Sequence, residues 1–456
     1  MSEIDRLAAG EVTATELVEA CLARVEQVEG RVGAFVTVTA ERARADAAAA
    51  DAARAEGRLL GPLHGLPMGL KDNIDTAGIR TTHGSGFFLD NVPAEDSPAA
   101  QRLRAAGAVL VGKLTMHEFA YGATSQNEHT GVCRNPWDLS RIPGGSSGGS
   151  GAAVAADEVI ASLGTDTGGS IRIPGSVNGV VGLRPTFGRV PTRGVFPIAV
   201  SFDTCGPLAR HAIDCARILS VIGGYDPADP TSEAHPAQDV AAGIDRGIDG
   251  LRIGVPRGFF FEECDPEVEA LVRAGADQLA ALGAKVEEID LPGAERTHEY
   301  VSTITRSDAL ALHRERVATD PGRFGAEVLR RLRTAESLSG ADYAEARDRG
   351  RAWERQVANL FASGIDIVLS PTACVPAPPA DDSGDVIEAT RLMTKLTYAW
   401  SLARVPAVSV PVGFTRAGLP VGMQLAAARW QDATLLRAAH AYQQVTDWHE
   451  RRPALA

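Results

Sequence analysis

Two glycine-rich turns, each carrying serine, constrain this chain more than anything else in it: Gly144-Gly-Ser-Ser-Gly-Gly-Ser150 and, after a helical stretch and a strand, Gly164-Thr-Asp-Thr-Gly-Gly-Ser-Ile-Arg172. They alternate with short apolar runs at 159–163 and 180–183. Turns of this kind between such runs predict an α/β sheet with its loops at strand ends, where functional loops commonly sit. A flexible linker would need lower surrounding hydrophobicity, and a phosphate cradle would need a closing Gly-Lys-Ser/Thr. Neither condition is met.

A serine hydroxyl is a poor nucleophile until something takes its proton, and a glycine-rich turn lets backbone N–H groups converge where negative charge develops. Thr167, Gly168, Gly169 and Ser170 are the candidates for that oxyanion hole. The chain has ten histidines, but there is no G-x-S-x-G elbow, and His117-Glu118 does not continue into a zinc-binding H-E-x-x-H. Lysine remains as the base. Only Lys71, Lys113, Lys285 and Lys395 occur among 45 basic residues. Lys71, ending a predicted strand over 68–70, is the candidate, because burial favours the neutral amine.

The rest of the chain supplies a frame. A capping box of Thr13 with Glu16 opens a helix to Val28, and an alanine-rich helix runs over 40–55. Further strands are expected at 108–112, 251–255, 286–291, 366–369, 407–412 and 421–425, with helices near 97–106, 265–282, 297–317, 340–362 and 431–446. The segment 226–249, rich in Asp, Pro and Ala, reads as an exposed crossover. With no repeat or linker in sight, one domain over 1–456 with a helical insertion at about 295–365 is expected. At 45% hydrophobic and 23% charged residues, 456 residues can bury a large core.

The net charge of −13, without a basic block, argues against a nucleic acid partner. No apolar run is long enough for a membrane helix, and Met1 to Asp5 lacks an export signal's basic start, so no membrane association and a cytoplasmic location are expected. Six scattered cysteines, Cys21, Cys133, Cys205, Cys215, Cys264 and Cys374, read as packing residues, with no disulfide framework or thiolate metal site.

Gly69-Leu-Lys-Asp-Asn73 and the two serine turns, in this order and spacing, resemble the amidase signature family, most strongly over about 60–215. The resemblance implies a large twisted mixed β-sheet flanked by helices. It implies Ser170 as the acylated nucleophile, Ser146 as a bridging serine in a cis peptide and Lys71 as the base, with no metal or organic cofactor. A cis peptide before a residue other than proline calls for a rigid surround, for which Ser147, Asp166 and Arg172 are candidates. Ala120 and Tyr121 are implied at the border of the acyl pocket, although Tyr121 reads equally well as a packed aromatic. Arg134 to Trp137 matches the family's Asn-Pro-Trp loop.

Within the family the motifs do not separate amide, ureide and carbamate hydrolases from the A subunit of the tRNA-dependent amidotransferase, which releases ammonia from glutamine for a partner. Residues 334–350 are poorer in tyrosine than that subunit would lead one to expect. Length and lysine-to-serine spacing also resemble bacterial urethanases. The expectation is therefore a stand-alone serine hydrolase of small-molecule amides or carbamates (urethanes), with room for a homo-oligomer. The alternatives are the A subunit of the amidotransferase or a non-catalytic assembly subunit.

Overall fold

The computed structural model describes residues 2–380 and 391–455. Its centre is one eleven-stranded mixed sheet in the order β1-β3-β2-β6-β8-β7-β12-β13-β11-β9-β10. The strands are β1 (Phe35–Val38), β2 (Pro67–Lys71), β3 (Val109–Leu114), β6 (Ala161–Asp166), β7 (Val181–Arg184), β8 (Thr204–Ala209), β9 (Arg252–Pro256), β10 (Lys285–Ile289), β11 (Ile367–Pro371), β12 (Ala407–Phe414) and β13 (Pro420–Ala427). A two-residue hairpin, β4 (Gln126–Asn127) with β5 (Gly131–Val132), stands apart. The neighbours β3, β2 and β6 run parallel, whereas β6, β8, β7, β12 and β13 alternate antiparallel. The expected mixed sheet flanked by helices is thus the observed one.

Helices cover it: α1 (Glu3–Ala9), α2 (Ala14–Val32), α3 (Ala40–Ala55), α4 (Pro98–Ala105), α5 (Gly148–Ala155), α6 (Arg172–Asn178), α7 (Ala212–Ile222), α8 (Pro266–Ala281), α9 (Thr297–Thr319), α10 (Ala326–Thr334) and α11 (Gly340–Ala362). The Thr13 and Glu16 capping box starts α2, whose Leu17, Cys21, Val25 and Val28 face the core. A second box, Ser339 with Asp342, starts α11. The expected exposed crossover after α7 is a loop, but it also buries Val240, Ile244 and Ile248. No described helix is long and apolar enough to cross a membrane. Five of the six free cysteines are buried.

Helix α5 has poor intrinsic propensity, with three glycines and a serine in its first four residues, yet every residue of it is buried. Tertiary packing wins because the helix lies against backbone. A Cβ at Gly149 would stand 2.5 Å from the Ala34 carbonyl oxygen and 2.6 Å from the Thr115 nitrogen. Only glycine allows that approach, and it brings the Ser146 turn down onto the strand ends.

Glu158, between α5 and β6, is fully buried. Burial first, then the neighbouring Glu29 of α2, raises its carboxyl well above the ordinary value of 4.5. The fold therefore binds that proton more tightly than the unfolded chain does. Stability is full below about pH 4.5 and falls as pH rises from there toward the folded value. We expect Glu158→Gln to stabilise the protein by roughly 1–3 kcal/mol at pH 8, with the gain vanishing near pH 4. Urea unfolding at the two pH values measures this, and an equal effect at both would contradict it.

Candidate active site

The adjacent parallel strands β2 and β6 end side by side, and their carboxyl ends deliver Lys71 and Asp166. Open sheets hold ligands at this end. Lys71 is fully buried, and its Nζ lies 2.7 Å from Ser146 Oγ and 2.7 Å from Thr165 Oγ1. Both partners are neutral hydroxyls. Burial lowers the amine from 10.5 to about 7, against the opposing pull of Asp166 and Asp203. The Gly145–Ser146 peptide is cis, and His117 donates its backbone N–H to the Ser146 carbonyl at 3.1 Å.

Ser170 stands on the second glycine turn, half-buried, beside Ser147, whose N–H reaches the Ser170 carbonyl at 3.3 Å. Among the described residues no hydrogen bond joins the hydroxyls of Ser170 and Ser146, so one link of the expected relay is closed and the other is open. Such contacts are often long without substrate and tighten when it binds. Ser147 Oγ donates to the Thr165 carbonyl at 3.1 Å and accepts from the Thr165 N–H at 3.2 Å, clamping the two turns together.

Asp166 organises the Ser170 turn. Its carboxylate accepts from the N–H of Gly169 at 2.8 Å and of Ile171 at 3.2 Å, and pairs with Arg172 at 2.9 Å and Arg184 at 3.1 Å. Burial would raise its pKa, but the two guanidinium groups outweigh that and hold it well below the usual carboxylate range. Arg172 then reaches Gln424 at 2.7 Å, the Thr397 carbonyl at 3.0 Å and Ser401 at 2.9 Å.

The four amides named for the oxyanion hole do not stand equal. That of Gly169 is committed to Asp166, whereas those of Thr167, Gly168 and Ser170 meet no acceptor among the described residues. Gly169 has a φ of +128°, and a Cβ there would collide with the side chain of Thr397. The Thr167 hydroxyl donates to the buried Asp203.

Ser170 opens into a cavity of about 50 Å³ lined also by Ala120, Tyr121, Thr305, Arg331 and Tyr398. Ala120 and Tyr121, expected at the border of the acyl pocket, both line this cavity. Sequence alone does not single out Thr165, Asp203, Arg184, Arg331 or Tyr398. Arg331 comes from α10, which is fastened to the serine turn by a 2.6 Å contact of Glu327 with His117. The Asn-Pro-Trp loop is structural: Trp137 Nε1 donates to the Asn178 carbonyl at 2.8 Å.

A family model described as Amidase matches residues 16–436. The chain belongs to the amidase family. It is 44% identical, over 99% of its own length and 97% of the relative's, to the A subunit of glutamyl-tRNA(Gln) amidotransferase of Roseiflexus sp. (strain RS-1). Its fold matches, at TM-score 0.92 and 39% identity over 97% of this chain and 98% of the other, a structure described as a vestigial protein complex that reveals the evolutionary origins of an s-triazine catabolic enzyme. It also matches the A subunit of glutamyl-tRNA(Gln) amidotransferase from Thermotoga maritima, at TM-score 0.81 and 31% identity over 95% and 92% of the two chains. As a member of this amidase family, it is an enzyme of amide C–N bonds.

Two expectations are overturned by these relatives. The stand-alone hydrolase of small-molecule amides or carbamates, urethanase type included, gives way, because whole-length relatives at 41–44% identity carry the amidotransferase subunit's name. The motifs belong to machinery that the family's branches share, and the tyrosine-poor stretch 334–350, from the end of α10 into α11, is largely exposed. The exclusion of nucleic acid fails too, since those relatives are subunits of an enzyme named for a tRNA. A charge of −13 describes this chain's own surface and says nothing of a partner subunit's.

Asp166→Asn leaves two buried guanidinium groups without their anion. We expect it to cost about 3–5 kcal/mol in urea unfolding. A loss below about 1 kcal/mol would mean that the arginines are held by their other partners.

Proposed function

We propose that this chain is the amide-cleaving A subunit of a glutamyl-tRNA amidotransferase, releasing ammonia from glutamine for use by partner subunits that handle the tRNA. The observation that carries the chemistry is the buried Lys71 amine at 2.7 Å from Ser146 Oγ, beside the cavity into which Ser170 opens. The assignment to this branch rests on whole-length identity to subunits of that name.

Neutral Lys71 takes the Ser146 proton as Ser146 takes that of Ser170, and Ser170 Oγ bonds to the carboxamide carbon. The oxyanion that forms accepts from the amides of Thr167, Gly168 and Ser170, while Gly169, bound to Asp166, keeps the turn in shape. The relay then returns the proton to nitrogen, the C–N bond breaks, and ammonia leaves an ester on Ser170. Water, deprotonated through the same relay, attacks that ester, releasing glutamate and restoring the Ser170 hydroxyl. Arg331, paired through its Nε with Glu327, brings a guanidinium to the cavity wall, the chemistry that a glutamine carboxylate requires.

The test is glutamine turnover by the purified chain with and without its partner subunits. Ammonia release that depends on the partners is expected. Its kcat/KM should rise with pH through about 7, because the relay needs the neutral form of an amine lowered to that value. Lys71→Ala and Ser170→Ala should each reduce turnover by roughly 10³-fold or more with the fold intact. Absence of glutamine turnover in the full assembly would overturn the branch, and retained activity in either variant would overturn the relay.

A further inference from the structure

At the far end of β6 and β8 from these residues lies a second cluster of chemistry-bearing side chains. Asp166 pairs with Thr204 at the catalytic end of the two strands, whereas Ala161 pairs with Ala209 at the other. His211 lies two residues beyond Ala209 and leads into α7, and it meets His449 and Glu450 of the 3₁₀ turn Trp448–Glu450 near the chain's end. The candidate ligand atoms of these three residues all lie within 4.8 Å of one another.

The spacing suits a shared ion better than direct bonds. Glu450 Oε1 is 3.4 Å from His449 Nε2 and 3.7 Å from His211 Nε2. A hydrogen bond to a carboxylate closes to about 2.7–2.9 Å. Zinc holds imidazole nitrogen and carboxylate oxygen at about 2.0–2.2 Å, so two ligands at a tetrahedral angle stand about 3.3–3.6 Å apart. The His449 Nδ1 is buried with no hydrogen-bond partner. A polar cavity of about 120 Å³ opens on His211 and Glu450, with room for water to complete a coordination shell.

The geometry points to a divalent-cation site of zinc class formed by His211, His449 and Glu450, tying the C-terminal turn to the start of α7. Two imidazoles and a carboxylate are the donor set that borderline ions such as Zn²⁺ prefer. Arg210 and Arg452 both pair with Asp157, at 2.7 and 3.0 Å, and Arg452 also stands 3.9 Å from Glu450 Oε2, which leaves Oε1 to the ion. Lying across the sheet from Lys71 and Ser170, the site is a staple of the fold and has no part in amide cleavage.

The test uses the full-length protein freed of metal by chelation, titrated with Zn²⁺ by calorimetry and with Co²⁺ by absorption. One ion per chain is expected, with a raised Tm, visible Co²⁺ bands and no thiolate charge-transfer band. Glu450→Gln alters a side chain that is 52% exposed and so leaves the fold intact. It should weaken Zn²⁺ at least about tenfold, as should His211→Asn, because each removes a ligand. No saturable binding by the wild type, or unchanged affinity in both variants, would overturn the site.

Discussion

A buried lysine with no carboxylate in hydrogen-bonding reach is the constraint on which this molecule depends. Among the described residues, only the hydroxyls of Ser146 and Thr165 satisfy the Lys71 nitrogen. The nearest strong anion, Asp166, is already neutralised by Arg172 and Arg184. Desolvation therefore dominates and lowers the amine to about 7. The other buried lysine of this half of the sheet is built differently: Lys113 reaches the Ile74 carbonyl and the hydroxyls of Thr76 and Thr81, and has Asp72 at 4.0 Å. Lys113 organises a turn, whereas the hydroxyl that Lys71 meets on Ser146 belongs to the turn bonded to that of Ser170.

Much of the architecture follows from keeping that environment dry and fixed. The small residues of α5 let it sit on backbone, which seats Ser146 at the strand ends. The ion pairs of Asp166 reach through Arg172 to Thr397, Ser401 and Gln424, so the C-terminal half of the sheet holds the nucleophile's turn in place. From the other side, α10 reaches the Ser146 turn through Glu327 and His117 and brings Arg331 to the cavity. Segments far apart in sequence thus share one polar network, whose members gain from one another in a low dielectric.

What was legible in the sequence is what local chemistry encodes. The Thr13 and Glu16 box, the 40–55 helix and the 340–362 helix stand where propensity and capping put them. Lys71 and Ser170 stand out as candidates because a strand end and a glycine turn leave a local trace, whereas the part given to Ser146 comes from the family resemblance. Strand β8 escaped notice, since Gly206 and Pro207 interrupt its apolar run, whereas the helical stretch expected after the first serine turn is α5, which starts within the glycine run itself. Arg331, Thr397 and Tyr398 reach the site by tertiary folding alone and sit in no motif. The engagement of the Gly169 amide by Asp166 is likewise a matter of geometry. Substrate class and partners failed for a related reason: the legible residues perform a step common to the family, whereas the choice of amide lies in walls and interfaces without local signatures.

The central claim, an uncharged amine at position 71, is open to direct measurement because only four lysines are present. The ¹³Cε resonances of protein labelled with [¹³C]lysine can be followed against pH, with Lys71→Arg identifying the signal. A midpoint near 7 for that signal is the result this account predicts. A midpoint near the ordinary lysine value of 10.5 would contradict it.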